Sequence, residues 1–211
     1  MTDLLPEEQE TVATYDKMAD VWASEHQIPD FWGKEMRRFK KLLPKGNLLE
    51  IGAGGGRDAK ELAKLGYSYA GTEISTGMVE VARKDNPDLK FLKHSVYDLQ
   101  FDDSFDGFWC AAVLLHIPKS KIAKALSQIK SVMKPGAIGF ISLKHGNGEK
   151  FETERWEDGS EHKRLFSYWT KDEFAKHLKK SGYSLVDYWY RVDKFGRHWH
   201  CFFVKVEENN G

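Results

Sequence analysis

Cysteine is nearly absent from this chain: Cys110 and Cys201 are the only two among 211 residues. They lie too far apart in sequence to form a C-x-x-C pair, which excludes structural zinc of that kind and a disulfide-stapled scaffold. Both are expected to be buried, unreactive thiols in a reducing compartment. Net charge is absent as well, because 32 Lys and Arg balance 32 Asp and Glu, so no global field draws the protein toward a polyanion or a membrane. No apolar run approaches the length that crosses a bilayer, and the first ten residues are acidic and polar where a secretory leader is basic and then apolar. The expected location is the cytoplasm. Internal repeats and low-complexity linkers are missing too. What remains is enough chain for one sizeable core and too little for a second. One domain is expected over 1–211, with N-terminal helices over 1–44 acting as a lid and a core over 45–211 that carries an insertion at 144–164.

Aromatic residues, by contrast, are plentiful. They make up 13% of the chain and include seven Trp, of which Trp22, Trp32, Trp156, Trp169, Trp189 and Trp199 fall outside the segments read as the central sheet. Large rings in such places pin helices and hairpins to a core more often than they line a pocket.

Short apolar runs alternate with amphipathic stretches, the pattern of a parallel sheet wound by helices. Asn47–Ile51 reads as the first strand, set between Pro44-Lys45-Gly46 and the cluster Gly52-Ala53-Gly54-Gly55-Gly56. A helix opens near Arg57, with Ala59, Leu62, Ala63 and Leu65 on one side, and ends at Gly66. Tyr67–Glu73 is the second strand; Ser75 caps a helix carrying Met78, Val79 and Ala82; Leu89–Leu92 is the third strand. Phe105–Cys110 is the fourth. The helix after it shows Ile122, Ala125, Leu126, Ile129, Val132 and Met133 at helical spacing, and Lys134-Pro135-Gly136 breaks it before a fifth strand, Ala137–Leu143. Thr170 caps a final helix with Phe174, Ala175 and Leu178 inward. Tyr183–Val192 and His198–Val204, joined by Asp193-Lys194-Phe195-Gly196, form a terminal antiparallel hairpin. The expected fold is doubly wound α/β, with a seven-stranded mixed sheet that ends in this hairpin.

In such sheets ligands sit at the carboxyl ends of the strands where the winding reverses, and the first glycine loop is such an end. Glycine there allows positive φ and close backbone approach, and the following helix start adds unpaired N–H groups. A dinucleotide fingerprint beginning at Gly52 needs a third glycine where Arg57 stands, so an NAD site does not fit. The residues instead spell Glu50-Ile-Gly-Ala-Gly-Gly-Gly56, an acid two before the first glycine and then G-x-G-x-G. This resembles the first motif of class I S-adenosylmethionine-dependent methyltransferases. Glu73 in Gly71-Thr-Glu-Ile-Ser75 resembles their second motif, an acid at the end of strand two that accepts from both ribose hydroxyls. Phe91–Leu99, Phe105–Cys110, Leu114–Pro118 and Leu126–Gly136 continue the likeness across residues 45–145.

The resemblance implies a Rossmann-like methyltransferase fold, S-adenosylmethionine as cofactor and S-adenosylhomocysteine as product. It implies that Glu50, Gly52, Gly54 and Gly56 meet the methionine end, with Ala53, Arg57 and Asp58 beside them. Glu73, Ile74 and Met78 then surround the ribose and adenine, and Ser95, Val96 and Cys110 complete the cofactor side. The chain departs from the family at Ser95, where an aspartate usually holds the adenine amino group. That role falls to backbone, to the Ser95 hydroxyl or to Val96. At the front, Tyr15-Asp-Lys-Met-Ala-Asp-Val-Trp22 resembles the family's pre-core helix, in which a tyrosine covers the cofactor; the alternative is that Tyr15 and Trp22 only anchor an amphipathic helix.

Methyl transfer asks mainly for alignment of a nucleophile with an already activated methyl group, so a base is optional. If the acceptor must lose a proton, His116 at the end of strand four is the first candidate and His145 after strand five the second, with Tyr15 as lid; a lone histidine at a strand end is more often hydrogen-bonded structure than base. Acceptor recognition is expected from the N-terminal helices and the polar insertion. There Lys144, His145, Arg155, His162, Lys163 and Arg164 suit an anionic acceptor or a phosphate, and a solvated loop has the same composition. Arg191, Arg197, His198 and His200 cluster on the terminal hairpin, His198 and His200 on one face. Without a third ligand, no metal site is read. The leading function is methylation of a small molecule, by a monomer or homodimer without a membrane partner. Two alternatives stand beside it. Phe166–Phe174 resembles a segment of wobble-uridine tRNA methyltransferases, against which the balanced charge and the missing RNA-binding module weigh. A noncatalytic cofactor-binding or partner protein of the same fold is the other.

Overall fold

The computed structural model describes residues 4–26, 28–155, 159 and 161–208. Helices α1 (Pro6–Lys17), α2 (Ala19–Glu25) and α3 (Gly33–Leu42) come first. The chain then alternates β1 (Asn47–Ile51), α4 (Arg57–Lys64), β2 (Ser68–Glu73), α5 (Thr76–Asp85), β3 (Lys90–Lys93) and β4 (Phe105–Ala111). Tight 3-10 turns at Leu114–His116 and Lys119–Lys121 lead into α6 (Ile122–Ser131) and β5 (Met133–Lys144). An antiparallel pair, β6 (Glu149–Arg155) and β7 (Glu161–Ser167), precedes α7 (Lys171–Lys180), β8 (Tyr183–Val192) and β9 (His198–Val206).

The main sheet has seven strands in the order β3-β2-β1-β4-β5-β9-β8. Strands β3 through β5 are parallel, and β9 runs antiparallel between β5 and β8. This is the doubly wound mixed sheet with a terminal hairpin that the alternating pattern implies. The winding reverses between β1 and β4, which sets the place of the ligand end. Two helix starts read from the sequence are built as capping predicts. The Ser75 hydroxyl accepts from the Met78 amide at 3.1 Å, and the Thr170 hydroxyl accepts from the Glu173 amide at 3.3 Å. The core between sheet and helices is aromatic, with Trp109 stacked on Phe140 at 4.0 Å between ring centroids and Phe202 and Phe203 fully buried beyond. Trp32, Trp169 and Trp199 are buried too, which suits the pinning role; Trp156 lies outside the described residues.

Two segments differ from the sequence reading. The helical spacing carried on to Met133, yet α6 ends at Ser131 and Met133 already pairs with Phe105 in β5. The next pair is Gly107 with Ile138, so Lys134, Pro135 and Gly136 loop out of the ladder rather than stand between two elements. Met133 is buried on either reading, which is why burial periodicity could not separate them. The insertion, in which no strand is read from the sequence, carries an antiparallel pair: β6 and β7 pair over seven residues each, from Glu149 opposite Ser167 to Arg155 opposite Glu161.

The other edge of β7 is covered by α1. The Thr11 hydroxyl accepts from the Leu165 amide at 2.9 Å, and the Thr14 hydroxyl donates to the Lys163 carbonyl at 2.9 Å. A strand edge that would otherwise be open is thereby closed by helix side chains. Glu8, 3% exposed, receives the Tyr97 hydroxyl at 2.6 Å and Lys121 at 2.9 Å. Asp16 receives the Ser75 hydroxyl at 2.7 Å and the Gly77 amide at 3.0 Å, which ties the helix end to the start of α5. Farther on, α3 is fastened to the terminal hairpin through buried Glu35, which accepts from Trp189 at 2.9 Å and Arg191 at 3.0 Å. Among the described residues no helix is long and apolar enough to cross a membrane.

One position in β5 tests the tightness of this packing. A Cβ on Gly139 would stand 2.1 Å from two ring carbons of Phe108, which is fully buried and has no room to retreat. Gly139→Ala is expected to destabilise the fold by about 1–3 kcal/mol, read as a lower urea midpoint at an unchanged slope. An unchanged midpoint would show that the sheet and helix layers are packed less closely here.

Candidate active site

A cavity of about 300 Å³ opens at the carboxyl ends of β1, β2 and β4, where the strand order reverses. Its floor is the loop after β1. Gly52 and Gly54 have φ of 66° and 54°, in the left-handed region that a side chain disfavours. A Cβ on Gly52 would strike Val113 at 2.5 Å, whereas one on Gly54 would meet nothing within 4 Å and would point into open space. The loop is held in this form by Glu73. One carboxylate oxygen accepts from the Gly54 amide at 2.9 Å, the other from the Ile74 and Ser75 amides at 2.8 and 2.9 Å. Burial pushes the Glu73 carboxyl above its ordinary value, and the three amides pull the other way. Glu50 sits behind the loop, hydrogen-bonded by the Tyr69 hydroxyl, and its carboxyl is held well above the usual range by burial first and by Asp58 second. Asp58 in turn receives Arg57 at 2.6 Å and the Trp109 indole at 3.1 Å.

The structure brings most of the sequence-selected residues to this one cavity. Glu50, Gly52, Ala53, Gly54, Arg57, Asp58, Glu73, Ile74, Met78, Ser95 and Val96 all line it. The Ser95 hydroxyl already accepts from the Tyr97 amide at 3.2 Å. Three residues are placed elsewhere. Gly56 is the left-handed residue before α4, and its Cβ position faces Asn86 and Ala82 rather than the cavity, so it shapes the turn. Cys110 is fully buried beneath the floor, its thiol pushed up by burial. His145 lies on the terminal-hairpin side, outside the cavity wall, with its Nδ1 3.0 Å from Nε2 of His200; the Nδ1 of His200 takes the Tyr188 hydroxyl at 2.8 Å. His145 is therefore part of a His–Tyr hydrogen-bonded chain and does not line the cavity. No cluster of three or more His, Cys, Asp or Glu that could hold a metal occurs among the described residues.

The roof carries the remaining chemistry. Tyr15 of α1 reaches His116, with its hydroxyl 2.9 Å from Nε2. The Nδ1 of His116 lies 2.7 Å from the Leu165 carbonyl, which can only accept, so Nδ1 bears the proton and Nε2 accepts from Tyr15. The same hydroxyl accepts from Arg164 at 3.2 Å. Burial lowers the His116 pKa to about 3, so the ring stays neutral at physiological pH. Burial also raises Tyr15, against the pull of Arg164. Around Arg164 stand the rings of Trp22 at 4.5 Å and Phe166 at 5.3 Å. Trp22 and Trp32, which the sequence left between pinning and pocket lining, stand in the wall with Phe166, whose place depends on how the roof packs rather than on any local spacing.

With this geometry in place, the chain can be compared with known proteins. A family model described as a methyltransferase domain matches residues 49–141. An uncharacterized protein of Methanocaldococcus jannaschii is 30% identical over 179 residues, covering 82% of each chain. The chain belongs to the class I S-adenosylmethionine-dependent methyltransferase family. A ubiquinone biosynthesis O-methyltransferase of Xanthomonas campestris is 31% identical over 107 residues; that match spans 47% of this methyltransferase and 44% of the relative. Among solved structures, the DhpI complex with S-adenosylhomocysteine superposes with a TM-score of 0.78 at 16% identity, over 96% of this chain and 98% of that one. The 1,6-didemethyltoxoflavin-N1-methyltransferase of Burkholderia thailandensis does so with 0.72 at 19% identity, over 99% and 93%. At such identities the likeness concerns the fold.

The state of His116 gives this methyltransferase a testable pH signature. An unfolded chain protonates the ring near pH 6.5, while the folded protein holds it neutral down to about pH 3. Between those values the unfolded state binds more protons, so stability from this group falls as the pH drops from 6.5 toward 3. His116→Gln keeps an acceptor for Tyr15 and removes the titration. Its melting temperature is expected to fall less than that of the wild type over this window. Parallel losses in both proteins would show that the ring is not held neutral by burial.

Proposed function

We propose that the protein transfers the methyl group of S-adenosylmethionine to a small molecule held between the glycine loop and the roof formed by α1, α2 and β7. One observation carries this reading: a single cavity runs from Glu73 and Gly54 to Tyr15, His116 and Lys144. Its volume of about 300 Å³ is at the lower end of small-ligand sites.

The residues present fit the cofactor. Open space in front of Gly54 admits a ligand against the backbone. Glu50, crowded by Asp58 and driven toward its neutral form, regains its charge beside an ammonium such as that of a methionine moiety. Glu73 retains lone pairs for ribose hydroxyls beyond its three backbone donors. Trp32, 1% exposed and in the cavity wall, has an indole N–H without a hydrogen-bond partner among the described residues, suited to a carboxylate oxygen. Ile74, Met78 and Val96 supply apolar surface for a base. Bound S-adenosylmethionine supplies a methyl group on a positive sulfur, ready for in-line attack by a lone pair.

What the chain itself contributes is enclosure and orientation. His116 is not a free base: one nitrogen is committed to Leu165, the other to Tyr15, and burial disfavours its protonation. It acts as a positioning residue, fixing the Tyr15 hydroxyl together with Arg164. An acceptor that brings its own lone pair therefore suits this site better than one that must first be deprotonated. The covering of the cavity by α1, α2 and the β6–β7 pair supports a small acceptor over a polynucleotide.

Calorimetric titration with S-adenosylhomocysteine tests the cofactor half. Saturable binding is expected in the wild type, loss of it in Gly54→Val, and roughly tenfold weakening in Glu73→Gln, which keeps an acceptor oxygen but gives up the charge. Failure of the folded wild type to bind, with no ligand carried through purification, would overturn the reading. Transfer of labelled methyl groups to unfractionated tRNA but to no small acceptor would overturn its second half.

A further inference from the structure

Among the described residues, the cavity has one cation to spare. Of the basic side chains lining it, Arg57 is paired with Asp58 at 2.6 Å, Arg164 with Glu154 at 2.6 Å, and Arg197 with Asp193 at 2.7 Å. The side-chain ammonium of Lys144, the last residue of β5, has no hydrogen bond or ion pair among the described residues. Its ammonium lies over the Phe166 ring at 3.7 Å. Glu152 and Glu154 attract it from β6 but neither comes within ion-pair distance, and Arg164 and Arg197 repel it. Glu152 is engaged by the Tyr168 hydroxyl and Glu154 by Arg164.

We infer that Lys144 is the anchor for an anionic group on the methyl acceptor, so that the acceptor class is a small organic carboxylate, phosphate or phosphonate with an apolar or aromatic body. The inference rests on the methyl-transfer reading of the same cavity and narrows it. A half-buried ammonium without an anion is costly to hold, and its pKa is lowered by burial for that reason. A bound oxyanion removes that cost. The cavity also separates its charges. Glu73 lies at the floor, where Asp58 and Arg57 are paired with each other, and the ammonium of Lys144 lies at the roof side, where an anion is drawn in. The apolar part of the acceptor meets Phe166, Trp22 and Leu115. Lys144 is a specificity-determining residue under this assignment, since the ring under its ammonium leaves the N–H donors free to turn to a ligand.

The test uses the full protein saturated with S-adenosylhomocysteine and three aromatic probes of similar size: benzoate, phenylphosphonate and neutral benzamide. Binding is read by tryptophan quenching and calorimetry. The two anions are expected to bind more tightly than benzamide and to weaken with added salt. Lys144→Met is expected to lose roughly 30-fold or more in anion affinity, with Lys144→Arg retaining most of it and benzamide unaffected by either change. Equal binding of benzamide, no binding of either anion, or anion affinity unchanged in Lys144→Met would each overturn the assignment. S-adenosylhomocysteine affinity, measured on the same variants, stays at the wild-type value if only the acceptor side is touched. Its absence in the wild type would instead refute the cofactor reading, so the two failures are told apart.

Discussion

The ligand end of this fold depends on the carboxylate of Glu73. It joins two connections that leave the sheet separately: the glycine loop after β1, through the Gly54 amide, and the turn into α5, through the Ile74 and Ser75 amides. A loop whose glycines sit in the left-handed region has little intrinsic preference for one shape, because glycine is free to take many. The carboxylate supplies the preference. It does so while buried, an unfavourable place for a charge, and the three amides with the positive end of α5 compensate. The floor of the cavity and the charge that greets a ligand there are consequently the same feature.

The roof is built on a different principle. Helix α1 buries Glu8, Thr11 and Thr14, and its attachment runs through hydrogen bonds and an ion pair to Tyr97, Lys121, Lys163, Leu165, Ser75 and Gly77. Each such contact adds about 1 kcal/mol net, since water competes for the same groups once they separate. A covering element held this way is easier to lift than one held by a wide apolar face. That suits a cavity whose contents must enter and leave. The orientation of Tyr15 depends on the same docking, because α1 must lie along β7 for its hydroxyl to meet both His116 and Arg164.

These two principles explain what could be read from the sequence and what could not. The floor is local: Glu50, the glycine run and Glu73 announce themselves by spacing, and the strands and helices between them follow from apolar periodicity and from the caps at Ser75 and Thr170. Tyr15 and His116 were selected separately, a lid and a base, yet their hydrogen bond changes the chemistry of both. A base needs a free lone pair, and the Leu165 carbonyl leaves His116 none to spare once Tyr15 is in place. No sequence pattern reports that carbonyl. His145, Cys110 and Gly56 show the reverse case, in which correct placement at a strand or helix end does not decide which side a group faces. The strands of the insertion went unread for a related reason: its charges suit an acceptor or a solvated loop alike, but one face of β7 is buried under α1, so polar composition concealed a packed strand.

Composition concealed the electrostatics in the same way. Equal numbers of acids and bases give no net field, and the cavity nonetheless keeps the Glu73 carboxylate at its floor and the Lys144 ammonium toward its roof, neither of them in an ion pair among the described residues. The arginines lining the cavity are spoken for by neighbouring carboxylates, which fixes their geometry and cancels their charge at a distance. The salt-bridged Arg164 therefore serves to hold Tyr15 and stack on Trp22, while Lys144, set over the Phe166 and Tyr168 rings without an ion pair among the described residues, keeps its charge for whatever enters. The strength of a site of this kind follows from which charges are left unpaired after folding, not from how many the chain contains. Here that selection falls on the residue at the end of β5, where the sheet hands the acceptor side of the cavity to β6 and β7.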